Sequence, residues 1–212
     1  MELQRLTDAV IAGNAPEARA LTEAALGEGV PPATIVNDGL IAAMGVVGGR
    51  FGRSEIYVPE MLLSARAMQN ALAILEPLLA DSGAVSRGTV VIGTVKGDVH
   101  DIGKNIVAIM LRGSGFTVHD LGVDVPVERF VAAIQEHRPD IVGMSALLTT
   151  TMTVMKTVIE ALENAGVRDQ VKVMVGGAPV TEEFAQSIGA DGYGKDAGAA
   201  AERATELIDA VV

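Results

Sequence analysis

Partway along the chain the hydrophobic period changes, and this change constrains the fold more than any other feature. Over roughly the first 80 residues apolar side chains recur at helical spacing, with Ala, Leu, Glu and Met dominant. Beyond that, short β-branched runs alternate with amphipathic stretches. The runs are Thr89–Val95, Phe116–Leu121, Asp140–Ser145, Val171–Val175 and a weak one at Asp191–Tyr193. Between and after them helices are expected over Gly103–Arg112, Val127–His137, Thr151–Asn164, Thr181–Ser187 and Gly198–Val211. Alternation of this kind builds a parallel sheet covered by helices on both faces.

Punctuation residues divide the first half. Asn14 before Ala15-Pro16-Glu17 reads as an N-cap with proline in the first turn. Pro31-Pro32 opens a third helix towards Phe51, and Val58-Pro59-Glu60 opens a fourth towards Leu79. Four helices on short loops form an antiparallel bundle. The expected architecture is therefore an all-α four-helix bundle over 1–84, then a flavodoxin-like or Rossmann-like doubly wound α/β domain of five parallel strands over 88–212. Asp81-Ser82-Gly83 through Arg87 is the expected linker.

Composition excludes several classes of function. A formal net charge of -11 repels a phosphate backbone, so no nucleic-acid partner is expected. The absence of cysteine removes disulfides, thiolate metal sites and cysteine nucleophiles. No apolar stretch is expected to reach the ~18 residues of a membrane span. The opening MELQRLTDAV lacks the apolar core of a signal peptide, so no membrane partner and a cytoplasmic location are expected.

Ligands of open α/β sheets bind beyond the carboxyl ends of the strands. The loop after the first strand runs from Lys96 to Asn105 and contains Asp98-Val99-His100. A carboxylate two residues before a histidine can accept its Nδ1–H and leave Nε2 as a metal ligand. One imidazole without cysteine or a second histidine does not hold zinc by itself. It suits a metal already chelated in a macrocycle, which leaves haem and corrin as candidates. The plainer alternative is a loop histidine that caps the next helix. His119 and His137 read as structural or solvated.

Other readings fail on spacing. Gly97 to Gly103-Lys104-Asn105 is one residue too long for a P-loop and has Asn105 where a hydroxyl belongs. The dinucleotide pattern G-x-G-x-x-G is absent after the first strand. A receiver domain needs a phosphoacceptor aspartate after the third strand, where this chain has Ser145-Ala146-Leu147.

Asp98-x-His100-x-x-Gly103, then 41 residues to Ser145-x-Leu147, then 28 to Gly176-Gly177, resembles the cobalamin-binding signature. That signature is shared by methionine synthase, acyl-skeleton mutases and small corrinoid proteins of methyltransferase systems. Gly97 to Asn105 and Asp120-Leu121-Gly122-Val123-Asp124-Val125-Pro126 resemble the methyltransferase branch, and the likeness spans nearly the whole chain.

The resemblance implies a cobalamin or related corrinoid bound base-off/His-on, with His100 as axial ligand to cobalt and no other metal. It implies that Asp98 and Ser145 form a relay to His100, and that Leu147, Gly176 and Gly177 line a slot for the detached nucleotide tail. Gly103 would let the next helix start close to the corrin. Asp101, Gly122 and Val123 would lie at the cofactor, with Tyr193 as a further contact near the tail. Tyr57, Met61 and Leu62 would belong to a helical cap over the methyl-bearing face. No separate substrate domain and no nucleophile of its own are expected in the chain. It is thus expected to be a non-catalytic methyl carrier in one-carbon metabolism. Its expected partners are a substrate-specific methyltransferase, a methyl-acceptor methyltransferase and a reductive activator. A cobalamin-binding sensor or a storage protein is the alternative.

Overall fold

A computed structural model describes residues 2–82 and 86–210. The chain divides into two compact units. The first precedes Ser86. The second runs from Ser86 onward, apart from Gly113–Gly115, which group with the first. The expected linker lies partly outside the described residues, as does Val211 at the end of the last expected helix.

The first unit is built from α1 (Glu2–Ile11), α2 (Ala15–Gly27), a helical run α3 (Pro32–Gly52) and α4 (Val58–Ser82). The Asn14 side chain accepts from the Glu17 N–H, which satisfies one of the free donors of the α2 N-terminus. Leu6, Val10, Leu21, Ile35, Leu40 and Leu75 are buried and form the apolar interior. Ile35–Ile41 is wound as π-helix, which the sequence pattern did not disclose. Gly39 lies in it, its carbonyl accepting from the buried Thr7 hydroxyl at 3.2 Å. Pro77 sits inside α4 without ending it. The run Pro32–Gly52, 21 residues long, does meet the length and composition of a membrane span, contrary to the expectation above. Its Ile35, Gly39, Leu40, Ala43 and Val47 are buried, as in a core helix of a folded unit.

The second unit holds β1 (Thr89–Thr94), α5 (Ile102–Gly113), β2 (Thr117–Asp120), α6 (Val127–His137), β3 (Ile141–Ser145), α7 (Thr149–Met152), α8 (Val154–Asn164), β4 (Lys172–Gly176), α9 (Glu182–Ser187), β5 (Gly192–Gly194) and α10 (Ala197–Asp209). The expected helix from Thr151 to Asn164 is thus two, which meet at Thr153. All strands are parallel in the order β2-β1-β3-β4-β5. The order reverses between β1 and β3, which is the switch point where ligands bind in such sheets.

Side chains alternate between the two sheet faces with period two. Val142, Met144, Val173 and Val175 join Phe130, Ile134, Met155, Ile159 and Leu162 in one core. Ile141 and Met174 join Val90, Leu111, Phe116, Ala204 and Leu207 in the other. Pairing also aligns the strand ends: Thr94 faces Ser145, Ser145 faces Gly176, and Gly176 faces Gly194. The loops that follow therefore leave the sheet from one row. His119 on β2 and His137 at the end of α6 stack on each other, with ring centroids 4.0 Å apart.

Candidate functional site

The loop after β1 turns at Gly97, where φ is +84°, and this turn brings Asp98 back under the strand end. The Asp98 side chain is buried and uses both oxygens. Oδ1 accepts from the His100 backbone N–H at 3.0 Å and from Nδ1–H of the same residue at 2.7 Å. Oδ2 accepts from the Leu147 N–H at 2.8 Å and the Thr151 hydroxyl at 2.7 Å. One carboxylate thus ties the loop after β1 to the segment after β3, across the switch point.

Burial by itself pushes the Asp98 carboxyl up. The hydrogen bonds from Thr151, Leu147 and His100 outweigh it and hold the group well below the usual carboxylate range. The group is therefore an anion and an acceptor only, so in the neutral ring of His100 the proton sits on Nδ1 and Nε2 keeps its lone pair. The imidazole is about half exposed, at 48% of its side-chain surface. Its carbonyl is held by the Thr94 hydroxyl at 2.9 Å.

Ser145 takes no part in this relay. It ends β3 with its carbonyl accepting from the Val95 N–H at 3.0 Å, and its hydroxyl is not among the groups bonded to Asp98. Thr151 supplies the hydroxyl instead. The reason is positional: the carboxylate lies past the end of β3, where the Leu147 N–H and the first turns after the strand converge. Sequence reasoning missed Thr151 because a Thr149-Thr150-Thr151 run has no motif value. Its only signal is a buried hydroxyl a few residues beyond a site loop.

On the loops beside His100 several large apolar side chains are exposed. Val99 is 69% exposed and Ile102 76%, with Val123, Leu147 and Leu148 also exposed. All five lie on segments that follow β1, β2 or β3. Clustered exposed apolar side chains at a switch point fit a large, flat, mostly apolar ligand. Asp101 is exposed at the start of α5 and accepts from Asn105 Nδ2 at 3.1 Å. Gly103 is exposed in the first turn of that helix, with open space where a Cβ would stand. Gly122 turns the loop after β2 with φ of +85°.

The glycine pair has a cause within the chain itself. A Cβ on Gly177, where φ is +128°, would stand 1.8 Å from the Ala146 carbonyl oxygen. One on Gly176 would meet the Gly194 carbonyl oxygen at 2.9 Å. These positions admit only glycine because neighbouring backbone passes over them, before any ligand is considered. Tyr193 lies in β5, partly buried.

The suggested cap residues lie at the start of α4 in the first unit. Tyr57 and Leu62 are exposed at 68% and 43%, but Met61 is fully buried. Helical spacing puts Met61 on the inward stripe with Ala65 and Met68, so of the three only Tyr57 and Leu62 offer surface to a ligand.

Two charged residues that sequence reasoning left without a role brace the loop from the β2 side. Asp124 accepts from the Gly97 N–H at 2.8 Å and from Lys96 Nζ at 2.9 Å. These contacts hold its carboxyl below the usual range. Lys104, itself buried, pairs with Asp120 and donates to Asn105 Oδ1 at 2.8 Å. Among the described residues no three His, Asp or Glu side chains gather into a metal site. A solitary oriented imidazole on an apolar platform fits a metal that arrives inside a macrocycle.

Comparison with known proteins points the same way. The family described as a B12 binding domain matches residues 88–202, and a second model of that description matches 2–76. A dimethylamine corrinoid protein of Methanosarcina barkeri is 46% identical over 97% of this chain and 97% of its own length. The methanol:cobalamin methyltransferase complex MtaBC of Methanosarcina barkeri superposes with a TM-score of 0.84 at 34% identity, over 98% of this chain and 80% of the matched chain. A cobalamin-binding protein from Desulfitobacterium hafniense superposes with a TM-score of 0.83 at 30% identity, over 98% of both chains.

Proposed function

The chain belongs to the B12-binding domain family, and from that premise we propose that it is a corrinoid protein carrying a methyl group on cobalt between two partner methyltransferases. One observation carries the reading. His100 presents a free Nε2 from a loop locked by the buried Asp98 carboxylate, amid exposed apolar side chains at the switch point of the sheet. When bound, the corrinoid would supply the cobalt that receives the methyl group from one partner and yields it to the other.

The chain's own residues divide the remaining work. His100 would hold the lower axial position through Nε2, with the cofactor's own base displaced and no other metal involved. Asp98 fixes the tautomer and aim of the ring, and Thr151 and the Leu147 N–H fix Asp98. Val99, Ile102, Val123 and Leu147 would meet the apolar face of the macrocycle. Tyr57 and Leu62 are the proposed cap contacts of the first unit. The partners are a substrate-specific methyltransferase, a methyl-acceptor transferase and a reductive activator, in the cytoplasm. A methylated amine is the first donor class to test, because the 46% identical relative is named for dimethylamine.

The experiment is reconstitution with hydroxocobalamin, followed by visible and EPR spectra of the reduced protein. Nitrogen splitting that changes on isotopic labelling of histidine, and is lost in His100→Ala, is the expected result. Retention of the benzimidazole signal would overturn the axial assignment. Adding a methylated amine with candidate methyltransferases then separates a carrier from a sensor or store: a carrier turns over, and the others only bind.

A further inference from the structure

Asp98 is held by the segment after β3, but the loop it belongs to leaves from β1, and β1 is flanked on its other side by β2. The segment after β2 runs alongside that loop. Val125 N–H donates to the Thr94 carbonyl at 3.0 Å, and Thr94 N–H donates to the Gly122 carbonyl at 3.0 Å. At Asp124 the backbone turns left-handed, with φ of +53°. A short polar side chain is among the few that tolerate this region. In that conformation Asp124 reaches the loop with both its backbone and its side chain. Its N–H donates to the Asp98 carbonyl at 2.8 Å, while its carboxylate accepts from the Gly97 N–H at 2.8 Å and Lys96 Nζ at 2.9 Å.

We propose that Asp124 is a positioning residue for the axial imidazole, clamping residues 96–98 from the β2 side while Leu147 and Thr151 hold Asp98 from the β3 side. The inference deepens the corrinoid reading and rests on it for its effect on cobalt. Its mechanism is a property of the chain alone. Gly97 is the turn that carries Asp98, and Gly97 itself has a left-handed φ that glycine does not enforce. The Asp124 carboxylate keeps that turn closed, so the carboxylate that aims His100 has one orientation instead of several. The hydrogen bonds of the Asp124 carboxylate go to Gly97 and Lys96, not to His100 or Asp98. It acts through the backbone of the loop and not on the cofactor.

The test uses the full chain with two substitutions. Asp124→Gly accepts the left-handed backbone but deletes the carboxylate. Asp124→Asn keeps an acceptor oxygen and tolerates the same backbone. In the cofactor-free protein, amide exchange at Gly97 is expected to rise about tenfold in Asp124→Gly and to stay near wild type in Asp124→Asn, in proportion to one lost charge-assisted hydrogen bond. After loading with hydroxocobalamin and reduction, the histidine-coordinated fraction read by EPR falls in the glycine variant and recovers in the asparagine variant. Wild-type exchange and coordination in Asp124→Gly would overturn the proposal, as would equal defects in both variants. Should the wild-type protein take up no corrinoid, the cofactor reading fails while the exchange result still judges the clamp.

Discussion

In the helical unit Thr7, Thr22 and Ser64 are the buried polar side chains among the described residues, and each donates to a backbone carbonyl. In the α/β unit the corresponding set is Thr94, Asp98, Lys104 and Thr151, so that unit encloses a carboxylate and an ammonium. Hydroxyl-to-carbonyl bonds satisfy donors at little cost and carry no net charge. An enclosed carboxylate is costly unless several donors converge on it, and around Asp98 four do. Packing alone fills the helical interior, whereas the α/β unit adds an enclosed anion to its two apolar cores.

That contrast can be broken by substitution. The largest effect is expected at Gly177, where a methyl group has no room and φ is unsuited to it. Gly177→Ala should lose at least about 3 kcal/mol by urea denaturation, with protection against amide exchange falling in the sheet and not in α1 to α4. Leu75→Ala is the counterpart in the helical unit, a cavity expected to cost about 2–5 kcal/mol. If it lowers protection in β1 and β3 as much as in α4, the two interiors are not independent. Next comes Thr151→Val, which removes one donor from the enclosed carboxylate at a cost of about 1–3 kcal/mol. Thr151→Ser should cost distinctly less, and equal losses would show that the methyl and not the hydroxyl matters.

The smallest effect is one of pH. Because the Asp98 carboxyl is held low in the folded chain, its contribution to stability is complete above the unfolded value of about 3.9 and is lost as pH falls towards its depressed folded value. The helical unit encloses no carboxylate among its described residues. Acidification of the cofactor-free protein below about pH 4 should therefore loosen the α/β unit first, read as protection factors unit by unit. Simultaneous loss in both would count against the assignment.

Much of this was written in local sequence. The strands announced themselves because β-branched runs sit between helical periods, and the row of strand ends follows from their parallel order. Asp98 and His100 were legible as a pair because their contact spans two residues of one loop. Thr151 was not, because its partner is 53 residues away and only β3 pairing with β1 brings them together. Ser145 belongs to the motif, but its hydroxyl is not among the donors to Asp98. The π-wound stretch at Ile35–Ile41 leaves only a slight trace in hydrophobic spacing, a five-residue step between the buried Ile35 and Leu40 that reads as ordinary helix scatter. The left-handed backbone at Asp124 is invisible for a similar reason, as aspartate is ordinary in many other conformations.

The loop after β1 is fixed through main-chain atoms and the Asp98 and Asp124 carboxylates, while Val99 and Ile102 stand outward. The imidazole's aim and the character of the surface beside it are therefore separable. Those two outward side chains can be exchanged at the bench without disturbing the hydrogen bonds that aim the ring.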